Sequence, residues 1–431
     1  MTVMTNITRR HFIKVVGSSA AAVGLAGFPI IGQGNSKGRV VIIGGGYGGA
    51  TAAKYLRLAD PTIQVTLIDK GQQYVSCPMS NEVLSGERNF DSINVSYSAL
   101  NTRHGINVVQ GFVTEIDPVK KNVRTVCGQN FQYDRLIVSP GVDFRWGAIE
   151  GYDRNAVTAM PHAWFAGPQT LLLRKQLEAM KNGGMVIIVA PPNPYKCPPG
   201  PYERASQIAH YLKHHKPKSK VLILDHKDKF SKQGLFKQGW DQHYPGMITW
   251  VAGNNDGKVE GVDPATMTVF TEFEEYKGDV INVIPPQQAG EIARQAGLTD
   301  KSDWCPINQK TFESTIHKEV HVIGDASIAG KMPKSGYAAN SQGKVCAAAV
   351  AALMNGETVA EPSYLNTCYS LITPKHAVSV AAVYQLNGEG QIVGIKGAGG
   401  TSLMDAAPWE REMEAKHARS WFRNIKSDTF S

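Results

Sequence analysis

Residues 39–69, RVVIIGGGYGGATAAKYLRLADPTIQVTLID, constrain the fold more than any other stretch. Val40 to Ile43 read as a buried strand. Gly44, Gly46 and Gly49 then fit GxGxxG, and Ala50 to Leu58 carry small and apolar residues at helical spacing. Val65 to Ile68 read as a second strand, closed by Asp69, 25 residues after Gly44. The glycines permit a tight turn and a close backbone approach to a pyrophosphate at the helix N-terminus, and the acid is placed to accept from a ribose hydroxyl. GxGxxG alone is a weak signal. Set between two strand patterns and followed by the acid, it marks a dinucleotide-binding unit.

Two later stretches point to FAD rather than NAD. YDRLIVSPG (133–141) is a strand running into a small-residue turn, and VHVIGDASI (320–328) is a strand ending in Gly324-Asp325. That Gly-Asp pair is similar to the second FAD motif of flavoproteins with two dinucleotide domains, in which the Asp binds the ribityl chain. As a plain local feature Asp325 is a turn or cap residue. The middle region repeats the βαβ rhythm with GMVIIVA, YERASQIAHYLKHH and KVLILD, but its first strand leads into PPNPYKCPPGP. Prolines lack the N–H groups that cradle phosphate, and their rings are expected to fill the space. This domain is therefore expected not to bind NAD(P).

From about residue 362 the pattern alternates through an NGEG turn, consistent with a β-hairpin. A charged helix follows, with Trp409, Met413, Trp421 and Ile425 as its expected packing stripe. The expected fold is α/β. Residues 37–150 and 285–361 form an FAD-binding domain, 151–284 a second Rossmann-like domain, and 362–431 a small α+β interface domain.

Composition narrows the function classes. The chain has 431 residues, 42% hydrophobic, with 43 glycines and a net charge of +8. No Lys/Arg block indicates nucleic acid. Six cysteines are too few for a disulfide scaffold. There is no CxxC, and no CxxCH for a c-type haem on this chain. The twelve histidines show no metal-ligand spacing, so no metal is expected. At the N-terminus, Arg9 and Arg10 precede a mildly apolar stretch, and TRRHFIK resembles the core of a twin-arginine export signal. Removal of residues 1–36 takes three positive charges from the +8 and leaves +5. The expected compartment is the periplasm. No strongly apolar C-terminal helix predicts stable membrane insertion.

YVSCPMSNEV (74–83), CPPGPYERASQ (197–207), GDASIAGKMPKSGYAANSQGK (324–344) and PSYLNTCYS (362–370) together resemble the flavoprotein subunits of flavocytochrome c sulfide dehydrogenases. These are glutathione-reductase-like flavoproteins, close to the sulfide:quinone oxidoreductases. The resemblance implies sulfide oxidation in the periplasm, with FAD on this chain and haem on a c-type cytochrome partner. It implies that Cys77 is joined to the flavin 8α-methyl as a thioether. Alone, Cys77 would read as a structural thiol. The resemblance further implies that Cys197 and Cys368 form a redox-active disulfide beside the flavin; the plain alternative is a structural disulfide. Hydrosulfide attacks such a sulfur, leaving a persulfide on one cysteine and releasing the other as a thiolate. Glu203 either caps the helix that follows or shuttles a proton. Lys196 and Lys334 are placed to attract an anion. Cys127, Cys305 and Cys346 receive no catalytic role, and Ser327 stands where family members carry a cysteine, which removes any second disulfide to Cys305. Three other readings stay open: a sulfide:quinone oxidoreductase, a non-catalytic flavin-binding partner, and an NADH-dependent disulfide reductase. The proline loop and the missing CxxC count against the last.

Overall fold

The first strand, β1 (Arg39–Ile43), is a run of branched apolar residues in which Val40 and Ile42 are fully buried. It ends at Gly44, whose φ of +93° suits glycine, and a Cβ there would lie 2.3 Å from the Ser139 carbonyl oxygen. Helix α1 (Tyr47–Ala59) follows, and a Cβ on Gly49 would meet the Gly44 carbonyl oxygen at 1.9 Å. Only glycine lets the helix approach the strand this closely. β2 (Gln64–Asp69), a short helix α2 (Ser80–Ser85), β3 (Asn107–Gln110) and β4 (Arg135–Val138) come next. The structure is a computed structural model that describes residues 37–431; the export-signal reading on residues 1–36 lies outside them.

The middle of the chain contributes β5 (Met185–Ala190), α3 (Gly200–His215), β6 (Lys220–Asp225), α4 (Gln233–His243), β7 (Ile248–Val251) and β8 (Val280–Val283). It then returns with β9 (Val320–Val322) and α5 (Gly336–Asn355). Two parallel sheets result. The first has strand order β9-β4-β1-β2-β3, the second β7-β6-β5-β8. Near-continuous apolar strands such as VIIVA and VLIL fit sheets covered on both faces. Helix α5 packs against α1 so closely that a Cβ on Gly343 would lie 2.6 Å from the Gly48 carbonyl oxygen.

The last part of the chain differs from the expected single hairpin. It forms three antiparallel strands, β10 (Tyr364–Thr373), β11 (His376–Leu386) and β12 (Ile392–Thr401). The NGEG turn joins β11 to β12, with the Gly390 amide donating to Asn387 O at 3.0 Å. An earlier turn through Pro374 and Lys375 splits what the alternation pattern reads as one run. The terminal helix α6 (Pro408–Phe430) also corrects its expected stripe. Ile425 is buried and Trp421 packs against the core as expected, but Trp409 is 67% exposed and Met413 39%, and Ala415, Ala418 and Phe422 are buried instead. Inside the helix start, Arg411 and Glu414 form a buried ion pair, so charge rather than tryptophan faces inward there.

Several histidines are folded in the neutral form. Burial, with Arg204 and Lys196 nearby, pushes His162 down to about 3, and its Nδ1 accepts the Trp164 N–H at 3.0 Å. The unfolded chain takes up this proton near pH 6.5. Stability is therefore full above that value and falls as pH drops from about 6.5 towards 3. The expected outcome is a thermal midpoint that declines with acid in this window and declines less steeply in His162→Asn, which keeps an acceptor but does not titrate. An unchanged slope in the variant would contradict the assignment.

Candidate functional site

β5, α3 and β6 repeat the β1-α1-β2 unit, but the loop between strand and helix is built for a sulfur. Cys197 sits at a φ of +54°, and its N–H donates to the Lys334 carbonyl at 2.7 Å. Its own carbonyl accepts from Gly200 N at 2.7 Å, and Pro199 O accepts from Glu203 N at 3.1 Å. Amides that would face a phosphate at this helix start are thus turned onto the loop itself. Gly200 is required: a Cβ would lie 2.6 Å from the Trp164 ring and 3.1 Å from Cys197 Sγ. Asp225, which closes β6 as Asp69 closes β2, is sealed. It is fully buried and accepts from Tyr202 Oη at 2.5 Å, Lys227 Nζ at 2.6 Å and Trp250 Nε1 at 2.9 Å. By contrast Asp69 accepts from the Gly45 and Gly71 amides at 2.6 and 2.8 Å, beside the glycine turn. One expectation needs correction. The proline rings do not fill the space, because a cavity of about 250 Å³ remains, lined by Val189, Pro191, Pro192, His226, Ile284 and Pro286.

Cys368 comes from β10, opposite Val380 of β11. Helix α3 grips this strand three residues beyond the cysteine. Glu203 Oε1 accepts the Leu371 N–H at 2.8 Å, and Gln207 Nε2 donates to the Leu371 carbonyl at 2.9 Å. Lys232, at the start of α4, donates to Ser370 Oγ at 2.8 Å. On the other side, Ser335 at the N-cap of α5 donates to Asn366 at 2.7 Å. The residue before that cap, Lys334, holds the Cys197 amide. The two cysteines therefore hang from the same helix entry, and Cys368 raises the Cys197 thiol. All six cysteines are free thiols in this structure.

Burial pushes the Cys197 thiol well up, Cys368 and Glu203 add to it, and Lys196 opposes. Burial also raises Cys368, with Lys232 opposing and Glu203 adding. Glu203 itself is raised by burial against its bonds to Leu371 N and Asn81. A buried carboxyl raised in this way is of the type that gives and takes protons. It does not cap its own helix; both oxygens are taken by Leu371 N and by Asn81 Nδ2, the latter at 3.0 Å.

Arg204 is a site residue the sequence reading missed. It is 3% exposed and donates to Asn81, Asn282 and the His162 and Ala163 carbonyls at 2.6–3.2 Å. Its guanidinium lies 5.1 Å over the Trp164 ring, and burial lowers it to about 10. Spacing carried the signal, since Arg204 shares a helix face with Ile208 and Tyr211, where an apolar residue is expected. Lys232 and Asn81 had no such signal; tertiary contact alone brings them in.

Cys77 lies between β2 and α2, and its Sγ accepts from Lys196 Nζ at 3.2 Å and faces the Trp164 carbonyl at 3.6 Å. Lys334 points elsewhere than expected. Its ammonium donates to the Asp325 and Ser327 carbonyls at 2.6 and 3.1 Å and lies 3.7 Å over the Trp304 ring, and burial lowers it to about 8. Cys305 pairs with Ser327 across a short β-bridge, and the Ser327 hydroxyl donates to Gly324 O at 2.8 Å. Cys127 is exposed and Cys346 is buried in α5.

The residues fit a flavin dinucleotide. Gly44, Gly46 and Gly49 form the turn before α1, and no side chain caps that helix at Gly46. Gly324 adopts a φ of +76°, and on the turn after β9 the Asp325 Oδ1 is buried without a hydrogen-bond partner. Tyr97 Oη beside Gly45 and Gln287 Nε2 beside Lys196 are orphaned likewise. Buried polar atoms without partners are costly, and a bound ligand rich in hydroxyls and ring nitrogens would satisfy them.

Comparison with known proteins follows the same lines. A family model described as "Pyridine nucleotide-disulphide oxidoreductase" matches residues 38–164. Another, "Sulfide dehydrogenase [flavocytochrome c] flavoprotein chain, central", matches 170–285. A third, "Flavocytochrome c sulphide dehydrogenase, flavin-binding", matches 360–430. A sulfide-quinone reductase of Aquifex aeolicus is 30% identical over 306 residues, 66% of this chain and 67% of that protein. A flavocytochrome c sulfide dehydrogenase flavoprotein chain of Chlorobaculum thiosulfatiphilum is 58% identical over 45 residues, 10% of this chain and 94% of that sequence. The crystal structure of the sulfide:quinone oxidoreductase from Aquifex aeolicus superposes with a TM-score of 0.72 at 17% identity, covering 90% of this chain and 92% of that one.

Two outcomes test the geometry. Glu203→Ala strands the Leu371 amide and is expected to cost about 1–3 kcal/mol in urea unfolding, whereas Glu203→Gln keeps an acceptor and stays within about 1 kcal/mol of the parent. Equal losses would contradict the strand-anchoring role. With Asp225 sealed, a large excess of NADH or NADPH is expected to leave the flavin spectrum oxidised under anaerobic conditions; rapid bleaching would show an open nicotinamide route.

Proposed function

The chain belongs to the flavoprotein family that holds the flavocytochrome c sulfide dehydrogenase flavoprotein chains and the sulfide-quinone reductases, and from that membership we propose a periplasmic sulfide dehydrogenase. It oxidises sulfide to sulfur or polysulfide through Cys197 and Cys368 and passes electrons to a c-type cytochrome subunit. The observation that carries this reading is the meeting of two cysteines from distant segments in a buried site with a protonatable acid and three cations, Lys196, Arg204 and Lys232. We read the two parallel sheets as two dinucleotide-type domains, of which only the first takes its cofactor. Export by the twin-arginine route rests on Arg9 and Arg10 in TRRHFIK.

In the oxidised enzyme Cys197 and Cys368 form a disulfide. The cations draw hydrosulfide into the site. Attack forms a new S–S bond as the Cys197–Cys368 bond breaks, leaving one persulfide and one thiolate. A second hydrosulfide takes the outer sulfur away as hydrogen disulfide, and the persulfide cysteine returns to a thiol. Glu203 gives or takes the proton that these charge changes require. The glycine turn, Asp69, Asp325 and Cys77 would hold FAD, which would supply the acceptor for the two electrons released when the pair closes again. Support for a cytochrome acceptor comes from the flavocytochrome c family models, and for a quinone from the 30% identity to the sulfide-quinone reductase.

Anaerobic sulfide is expected to bleach the flavin of the purified chain, and Cys197→Ser or Cys368→Ser to slow bleaching at least a hundredfold. Undiminished reduction in either variant would overturn the disulfide route. Offering the sulfide-reduced chain a c-type cytochrome or a soluble quinone, and timing reoxidation, decides the acceptor.

A further inference from the structure

Lys196 belongs to the sulfur loop of the middle region, yet its ammonium reaches across to Cys77 of the first. The Nζ–Sγ distance is 3.2 Å. Both ends of the lysine are held. Its backbone N–H donates to Gln287 Oε1 at 3.0 Å, and its ammonium lies 4.8 Å from the Phe165 ring centre. On the far side of the sulfur, the Trp164 carbonyl stands 3.6 Å away, placed to accept from the thiol. The other two site lysines are engaged with oxygen, Lys334 with the Asp325 and Ser327 carbonyls and Lys232 with Ser370 and Val378. Of the three, Lys196 is the one bound to a sulfur.

A thiol becomes a strong nucleophile only as a thiolate, and an adjacent cation favours that form. An attraction for substrate alone would not need the ammonium seated on Cys77. We propose that Lys196 activates Cys77 for its own coupling to the flavin, so that the chain attaches its cofactor without a separate enzyme. The inference rests on the reading of Cys77 as the thioether residue. The balance is simple. A carbon–sulfur bond forms between Cys77 Sγ and the flavin 8α-carbon, and one S–H and one C–H bond break. The two protons and two electrons released go to an external acceptor, dioxygen in a purified preparation. Lys196, whose ammonium donates to this sulfur at 3.2 Å, sets a positive charge beside the atom that must lose its proton and form the new bond. Lysine is a positioning residue here; it makes no bond to the flavin.

The test compares the full-length chain with Lys196→Arg, Lys196→Met and Cys77→Ser, each reconstituted with FAD in air. Non-covalent flavin is measured from the visible spectrum, and covalent flavin from in-gel fluorescence and the intact mass of the denatured chain. Wild type and Lys196→Arg are expected to couple nearly all of their flavin. Lys196→Met is expected to couple at least tenfold more slowly at equal non-covalent flavin content, a difference that a packing role would not produce. Coupling at the wild-type rate in Lys196→Met would overturn the role of Lys196 and leave the thioether reading intact. A wild type that holds only non-covalent flavin, or a Cys77→Ser chain that couples as well, would overturn the thioether reading itself.

Discussion

The site depends on one backbone hydrogen bond, from the Cys197 amide to the Lys334 carbonyl at 2.7 Å. It pins a loop of the middle region to the segment that enters α5. The same lysine, through its ammonium, holds the carbonyls of Asp325 and Ser327 on the turn after β9. One residue thus links the sulfur loop to the Gly-Asp turn expected to meet the ribityl chain. A single such bond contributes only about 1 kcal/mol to stability. Its weight lies in position, since a shift of this loop would move Cys197 relative to everything it must react with.

Helix α3 shows how a nucleotide-binding unit is put to another use. Strand, helix and second strand survive, with the parallel register of β5 and β6 intact. Around Cys197 the carbonyls of residues 197 and 199 take the helix-start amides, and Tyr202, Trp250 and Lys227 close over Asp225. The helix then turns outward to hold the cysteine strand, Glu203 and Gln207 binding both polar groups of Leu371.

Electrostatics set the working states. Burial raises both thiols and Glu203 above their ordinary values. Lys196 opposes that burial at Cys197, and Lys232 opposes it at Cys368 and Glu203. Asn81 and Asn282 join the buried Arg204 to α2 and β8 and so lock three segments around the same point.

Local sequence by itself determined the first dinucleotide unit, because Gly44 and Gly49 stand where backbone meets backbone and no other residue fits. It also determined the loss of the phosphate loop after β5, since proline removes the donors. The resemblance supplied Cys77, Cys197 and Cys368. What tertiary structure decided is which of these groups meet. Glu203 has the spacing of a helix cap, yet its carboxylate is drawn to Leu371, 168 positions away in the chain. Lys196 and Lys334 look alike in sequence, and packing sends one to a thiol and the other to two carbonyls. Trp409 and Met413 have the spacing of a packing stripe, but the sheet beneath α6 takes the adjacent face. Periodicity along a chain reports the face of an element; it holds no information about which distant surface that face will find.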